Sequence, residues 1–359
     1  MKIMILANND VGLYQFRKEL IEELLKQHEV VISLPYGDFV KPLEDIGCKF
    51  IDTPVDRRGM NPIKDLRLFF AYWKILKQEK PDLVITYTIK PNVYGGCICR
   101  LIKIPYAVNI TGLGTAFENA GMLKKIVTFM YKVGCKKAKV VFFENEGNRQ
   151  IFIQEKIVKQ SQTHRLNGAG VNLEKYQVAP YPDGEKLKFL FMGRIMAEKG
   201  IDELFEAMHH LVSDGINCEL NLLGFYEENY KEKIEKYQAE GWLNYYGYQK
   251  DVKPFIEDSH CFVLPSWHEG MANTNLECAA MGRPVITSSI HGCMEAVEDG
   301  VSGYLCEKQN ADDLYRTMKK FAMLSYDDKK NMGLAGRRRM EDIFDKKKVV
   351  KETLKELRI

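Results

Sequence analysis

The chain is predicted to be an α/β protein of two domains, each a parallel β-sheet covered by helices on both faces. Three observations carry that expectation. Its 359 residues suggest two cores of ordinary size rather than one. Short apolar runs alternate throughout with helix-length segments, the rhythm of βαβ units. The stretch 172–186, with Pro180, Pro182 and Gly184, breaks that rhythm. Domains are therefore expected over 1–171 and 187–340 with a linker over 172–186, and a helix over 341–359 is expected to pack back on the first domain.

In the first half, the buried-strand pattern falls at 2–7, 30–34, 50–51, 82–86, 107–110 and 140–143, with helices around 15–26, 63–77, 93–102 and 123–133. A second series begins after the linker. Its strands are expected at 189–192, 219–223, 243–245, 261–264 and 285–287, and its helices at 202–212, 229–238, 252–258, 275–281 and 311–324, with a helix-like charged tail from Asp327. Ligands of such sheets collect at the carboxyl ends of the strands, so the chemistry is sought there and in a cleft enclosed by the two domains.

Composition excludes several classes. The hydrophobic fraction of 45% and charged fraction of 28% are those of a globular protein, and no run approaches the roughly 20 apolar residues that cross a bilayer. The N-terminus opens directly on strand-like Lys2-Ile-Met-Ile-Leu-Ala7, which points to the cytoplasm. Nine cysteines without a C-x-x-C pair are expected as reduced thiols, with neither a disulfide framework nor structural zinc. Charge is uneven: residues 1–165 hold 26 basic against 17 acidic side chains, although the whole chain carries only +3. Much of the excess lies in 122–139, where Leu123, Ile126, Val127, Met130 and Val133 recur at helical spacing among lysines. That pattern could lie on an anionic membrane surface, and fits more readily an amphipathic helix packed on its own sheet with solvated lysines. No aromatic and basic interleaving supports nucleic acid as a partner.

The most informative motif is Glu269-Gly-Met-Ala-Asn-Thr-Asn-Leu-Glu277, two carboxylates eight residues apart across an expected strand-to-helix junction. Read alone, Thr274-x-x-Glu277 is also a capping box and Glu269 a solvated loop acid. Gly193-Arg194 and Glu198-Lys199-Gly200, after another strand of the same sheet, offer close backbone approach, a guanidinium fork and a lysine point charge suited to a diphosphate, or simply a charged turn with Asp202 as N-cap. Backbone N–H groups at a helix N-terminus after 269–275 could hold a phosphate or a sugar hydroxyl. A ligand with a diphosphate, a ribose and a second polar ring would use all of these parts.

Taken together, Glu269-x7-Glu277, Gly193-Arg194 through Lys199-Gly200, Pro265-Ser266-x-x-Glu269-Gly270 and Asn167-Gly-Ala-Gly-Val-Asn-Leu173 resemble a retaining family 4 glycosyltransferase over essentially the full length. The resemblance implies the GT-B fold, two Rossmann-like domains facing a cleft, with a nucleotide-sugar donor, no metal and no cofactor. It implies catalytic roles for Glu269, Arg194 and Lys199. Donor binding would fall to Glu277, Gly12, Gly193, Tyr248, Gln249, Gly270, Met271, Ala272, Asn273, Thr274, Asn275 and Leu276, with UDP favoured over bulkier nucleotides and Gly12 in the loop after the first strand. Ala272 departs from the proline common at that position.

Within the family, Ile89-Lys-Pro-Asn-Val-Tyr94 and Asn109-Ile-Thr-Gly-Leu-Gly114 look similar to bacterial enzymes that extend undecaprenyl-diphosphate-linked glycans for capsule, O-antigen or protein glycosylation. This resemblance implies a lipid-linked glycan acceptor, met by Lys90, Asn92, Thr111 and Gly112, and a location at the inner face of the membrane. Two other readings stay open, a nucleotide-sugar epimerase of the same fold and a non-catalytic nucleotide-sugar-binding subunit. A dinucleotide-dependent oxidoreductase is disfavoured because the first turn lacks G-x-G-x-x-G.

Overall fold

A computed structural model describes residues 1–56, 61–113, 117 and 121–359. Gly114, in the segment compared with acceptor-side enzymes, lies outside them. The chain forms two compact units, Met1–Ala169 with Lys346–Ile359, and Gly170–Asp345.

The first unit holds a seven-stranded sheet of β1 (Lys2–Leu6), β2 (Glu29–Leu34), β3 (Lys49–Asp52), β4 (Leu83–Tyr87), β5 (Tyr106–Ile110), β6 (Val140–Phe143) and β7 (Thr163–Arg165), in the order β3-β2-β1-β4-β5-β6-β7. Every pairing is parallel. The side-chain period of two explains why β1, β2, β4, β5 and β6 read as continuous apolar runs: each buries both faces. Met4 and Leu6 join a core with Leu68, Tyr72 and Leu76 of helix Pro62–Glu79 and with Val127 and Tyr131 of helix Met122–Cys135. Ile3 and Ile5 join the opposite core, with Leu20 and Leu24 of helix Asp10–Leu25 and Val349 and Leu357 of helix Lys346–Leu357.

The second unit holds β8 (Leu187–Met192), β9 (Cys218–Leu223), β10 (Leu243–Gly247), β11 (Cys261–Leu264), β12 (Val285–Ser288) and β13 (Gly303–Cys306), in the order β10-β9-β8-β11-β12-β13 and again parallel throughout. One continuous core runs through it.

The stretch expected to link the domains is built into this second unit. Within that stretch the Tyr181 hydroxyl donates to His260 O at 2.9 Å, and just before it Val171 N donates to Phe344 O at 2.8 Å. The fully enclosed Arg283 donates to Ala179 O at 3.1 Å and Pro180 O at 2.6 Å, as well as to Ile256 O and Glu257 O. Prolines disrupted the helix and strand pattern without loosening the chain, because a buried guanidinium supplies the donors that the segment's carbonyls need. Sequence reading also missed β7 and β13, helices Val40–Asp45 and Glu146–Gln154, and a π-helical turn at Pro91–Gly95 that precedes helix Gly96–Ile102.

Candidate active site

At the carboxyl edge of the second unit, backbone contacts between strand ends fix the loops. Gly193 N donates to Leu223 O at 3.0 Å, and Gly224 N donates to Gly247 O at 2.9 Å. Gly224 adopts φ +145, and a Cβ there would lie 1.7 Å from Gly193 O, so β8 and β9 can end side by side only with glycine at that place. Arg194 follows, 39% exposed, with Nη1 3.6 Å from Glu227 Oε2.

The chain then makes a 3₁₀ turn at Ala197–Lys199 and passes through Gly200 in the left-handed region. Helix Ile201–Ser213 has Gly200 as its N-cap residue, and Asp202 lies inside the first turn, so the expectation of an Asp202 cap is corrected. Asp202 is engaged instead by the Tyr230 hydroxyl and Lys233 Nζ, both at 2.5 Å.

The turn is strapped to the loop after β11. Trp267 N donates to Glu198 O at 2.9 Å, Ser266 Oγ to the same oxygen at 3.2 Å, and His268 Nε2 stands 3.3 Å from Glu198 Oε2. This brings Lys199 Nζ onto Glu269 Oε1, an ion pair with side chains 16% and 14% exposed. Gly292, at φ +93, underlies the loop: a Cβ would lie 2.6 Å from Glu269 O, and Gly292 O accepts from Ala272 N at 2.7 Å. The buried Cys293 thiol is held up by burial and then by the Glu269 carboxylate, which keeps it neutral.

Helix Asn273–Ala280 follows, and its N-cap residue Ala272 makes no side-chain cap. The capping-box alternative for Thr274 and Glu277 is therefore corrected: the helix begins before Thr274, and Glu277 sits in its second turn rather than at its start. Its half-buried carboxylate meets the Tyr176 hydroxyl. Asn273 and Thr274 are half-buried at the helix head, while Gly270, Met271, Ala272, Asn275 and Leu276 are buried. Asn275 Nδ2 donates to Thr287 Oγ1 at 3.2 Å, which itself donates to Leu264 O at 2.7 Å, so this side chain ties β11 to β12. Of the segment, only Glu269, Asn273, Thr274 and Glu277 are partly exposed. Tyr248, after β10, is 51% exposed, and Gln249 Nε2 donates to Tyr246 O at 2.7 Å.

The first unit carries a separate group. Gly12 lies in the first turn of helix Asp10–Leu25, not in the preceding loop as expected, and its N–H donates to the cap oxygen Asn9 Oδ1 at 2.6 Å. Lys90 Nζ is 2.6 Å from Asp65 Oδ1. Asn92 is wholly enclosed: its Oδ1 accepts from Thr86 Oγ1 at 2.7 Å and its Nδ2 donates to Asn109 O at 2.8 Å. These bonds tie the ends of β4 and β5, so the Asn92 side chain is engaged within the first sheet. Thr111 and Gly112 follow β5, half-buried. Missed from sequence was the enclosed pair Arg17–Glu144, at the end of β6 beneath the Tyr87 ring, in which burial pushes the Glu144 carboxyl up against the pull of Arg17.

Two family models cover most of this chain. Residues 174–339 match that of group 1 glycosyl transferases, and residues 2–145 match that of the 4-like glycosyl transferases. The chain belongs to the group 1, family 4 glycosyltransferases. This glycosyltransferase is 28% identical over 93% of its length to a Campylobacter jejuni protein, of which 92% is covered: N,N'-diacetylbacillosaminyl-diphospho-undecaprenol alpha-1,3-N-acetylgalactosaminyltransferase. It is 27% identical over 82% of its length to an Escherichia coli protein, 81% covered, named UDP-Gal:alpha-D-GlcNAc-diphosphoundecaprenol alpha-1,3-galactosyltransferase. Anabaena HepE, solved in complex with UDP and glucose, superposes with a TM-score of 0.83 over 99% of both chains at 15% identity, which shows that the glycosyltransferase has the GT-B fold.

Among the described residues, no helix of the glycosyltransferase is long and apolar enough to cross a membrane, and no three His, Cys, Asp or Glu side chains converge as metal ligands. Tyr176 and Glu227 are the partners of site residues that sequence reading overlooked. Both contacts depend on long-range folding, and no local spacing signals them.

Proposed function

We propose that the glycosyltransferase moves a sugar, an N-acetylhexosamine or a hexose, from a UDP-sugar to a lipid-linked saccharide during surface-glycan assembly, with retention at the anomeric carbon. The observation that carries this reading is the Lys199–Glu269 pair at the head of the helix that bears Glu277. In it, Glu269 accepts hydrogen bonds from hydroxyls of the transferred ring and Glu277 from the ribose diol. Arg194 and Lys199 neutralise the diphosphate as its bond to the anomeric carbon breaks. The leaving phosphate oxygen takes the proton of the attacking acceptor hydroxyl, so no separate base is required. Charge that grows on the diphosphate is met by groups already in place, and one such preorganised donor is worth roughly 3–4 kcal/mol of barrier.

Support for the acceptor comes from relatives whose names specify diphospho-undecaprenol-linked saccharides. Lys90 and Thr111–Gly112 of the first unit are assigned to it. Support for a membrane surface comes from helix Met122–Cys135, on which Met122, Ile126 and Phe129 are 75%, 49% and 67% exposed beside the exposed lysines Lys125 and Lys132. Lysines flanking an exposed apolar stripe suit an anionic bilayer.

The test is nucleoside-diphosphate release from a panel of UDP-, GDP- and ADP-sugars, with and without a diphospholipid-linked saccharide. The reading expects release from a UDP-sugar that requires the acceptor and is abolished in Glu277→Ala. Release that ignores the acceptor, or preference for GDP- or ADP-sugars, would contradict it.

A further inference from the structure

We propose that Tyr176 is a positioning residue of the donor site, holding the Glu277 carboxylate in the orientation that accepts the ribose diol; the inference rests on the role given to Glu277 above.

The geometry begins in the backbone. Tyr176 N donates to Asn172 O at 2.9 Å, which turns the entering chain onto the second unit. Tyr176 O accepts from Arg337 Nη1 at 2.8 Å, and the same nitrogen donates to Ala280 O at 2.9 Å. Ala280 stands three residues beyond Glu277 and therefore on the same side of helix Asn273–Ala280. Arg337 thus clamps Tyr176 to the flank of the helix from which Glu277 projects. The ring is 6% exposed, and its hydroxyl ends on the Glu277 carboxylate. Asp251, in the turn that also carries Tyr248 and Gln249, is close enough to act electrostatically on the same phenol.

The chemistry follows from what each group can do. An ionised carboxylate only accepts, on two oxygens, and a vicinal diol needs two acceptor sites held at fixed spacing. Burial, and next the Glu277 charge, push the phenol far above its ordinary value, so it remains a donor at every working pH. A permanent donor on one side of the carboxylate restricts its rotation and leaves the remaining lone pairs facing outward. Phenylalanine would fill the same volume with no donor, and the carboxylate would be free to turn.

The test is calorimetric titration of UDP and of 2′,3′-dideoxy-UDP into the full-length wild type, Tyr176→Phe and Glu277→Gln. Tyr176→Phe is expected to weaken UDP by about tenfold, the order of one hydrogen bond to a charged group, while dideoxy-UDP binds wild type and variant equally. A purely structural role would weaken both nucleotides alike, and that result overturns the proposal. Comparing two ligands on one preparation makes the readout insensitive to the fraction of folded protein. If Glu277→Gln loses the preference for UDP and Tyr176→Phe keeps it, Tyr176 has no such role and Glu277 retains its own. If neither variant changes the preference, the ribose assignment of Glu277 fails and the role of Tyr176 with it.

Discussion

A Cβ on Gly200 would stand 2.1 Å from the Pro265 carbonyl oxygen, at a backbone φ of +73 that side chains rarely adopt. Gly200→Ala must therefore move the turn that delivers Lys199 to Glu269, and we expect it to cost about 2 kcal/mol or more, read by urea unfolding. Turnover should fall further than stability, because a small displacement of Lys199 removes charge stabilisation from the leaving group. A variant as stable and active as wild type would contradict the strap between the two loops. At this scale the sequence was partly legible. Glu269, Glu277, Arg194 and Lys199 were singled out as candidates by residue type, spacing and family resemblance, and all four lie at or near one edge of one sheet. The capping role of Thr274 was the wrong local inference, since the helix starts earlier than its apolar pattern does. Asn92 looked available and is enclosed, because spacing alone does not say that Thr86 Oγ1 donates to its amide oxygen while its amide nitrogen donates to Asn109 O.

Elements show the same division between local pattern and long-range contact. His260, at the entry to β11, accepts from Lys188 N through Nδ1 at 3.1 Å and is 4% exposed. Burial first, then the positive charges of Lys329, Lys188 and Arg283, push it down to about 4 from 6.5. The unfolded chain takes up a proton near 6.5 that the folded ring refuses until about 4, so His260 favours the fold above that window and its contribution is lost as pH falls through it. Between pH 7 and 5 the loss should be about 1–2 kcal/mol. His260→Asn should flatten that part of the pH dependence in urea melts, and an unchanged slope would count against a neutral, accepting imidazole. Helix Met122–Cys135 presents Met122, Ile126 and Phe129 outward, and helix Pro62–Glu79 presents Ile63, Leu66 and Phe70, at 65%, 57% and 60% exposure. Both helices pack on the same side of the first sheet. Ile126→Glu with Phe129→Glu is expected to abolish co-sedimentation with phosphatidylglycerol vesicles while sparing UDP binding; undiminished co-sedimentation would remove the membrane role from this helix. The outward stripe differs from the set expected from sequence, since Val127 packs inward and a 3.6-residue period gives no absolute direction.

Across the whole molecule, two parallel sheets were legible because strands buried on both faces read as unbroken apolar runs, and β6 and β11 fell at the expected residues. The short β7, with no buried residue, and the glycine-led β13 carry no such signal. Nor did composition reveal that the proline-rich stretch is anchored by Arg283, whose partners lie far along the chain. Helix Lys346–Leu357 belongs to the first unit, where His164 Nε2 meets Glu352 Oε1 at 2.7 Å. Donor chemistry in this account belongs to the second unit alone, and its central claim is that Glu269 acts on the transferred sugar rather than on the nucleotide. The direct measurement compares Glu269→Ala with wild type for UDP affinity and for acceptor-dependent UDP release. The account predicts UDP affinity within a few-fold of wild type and turnover lowered by about 10²–10³; turnover retained, or UDP affinity lost in step with it, would contradict it.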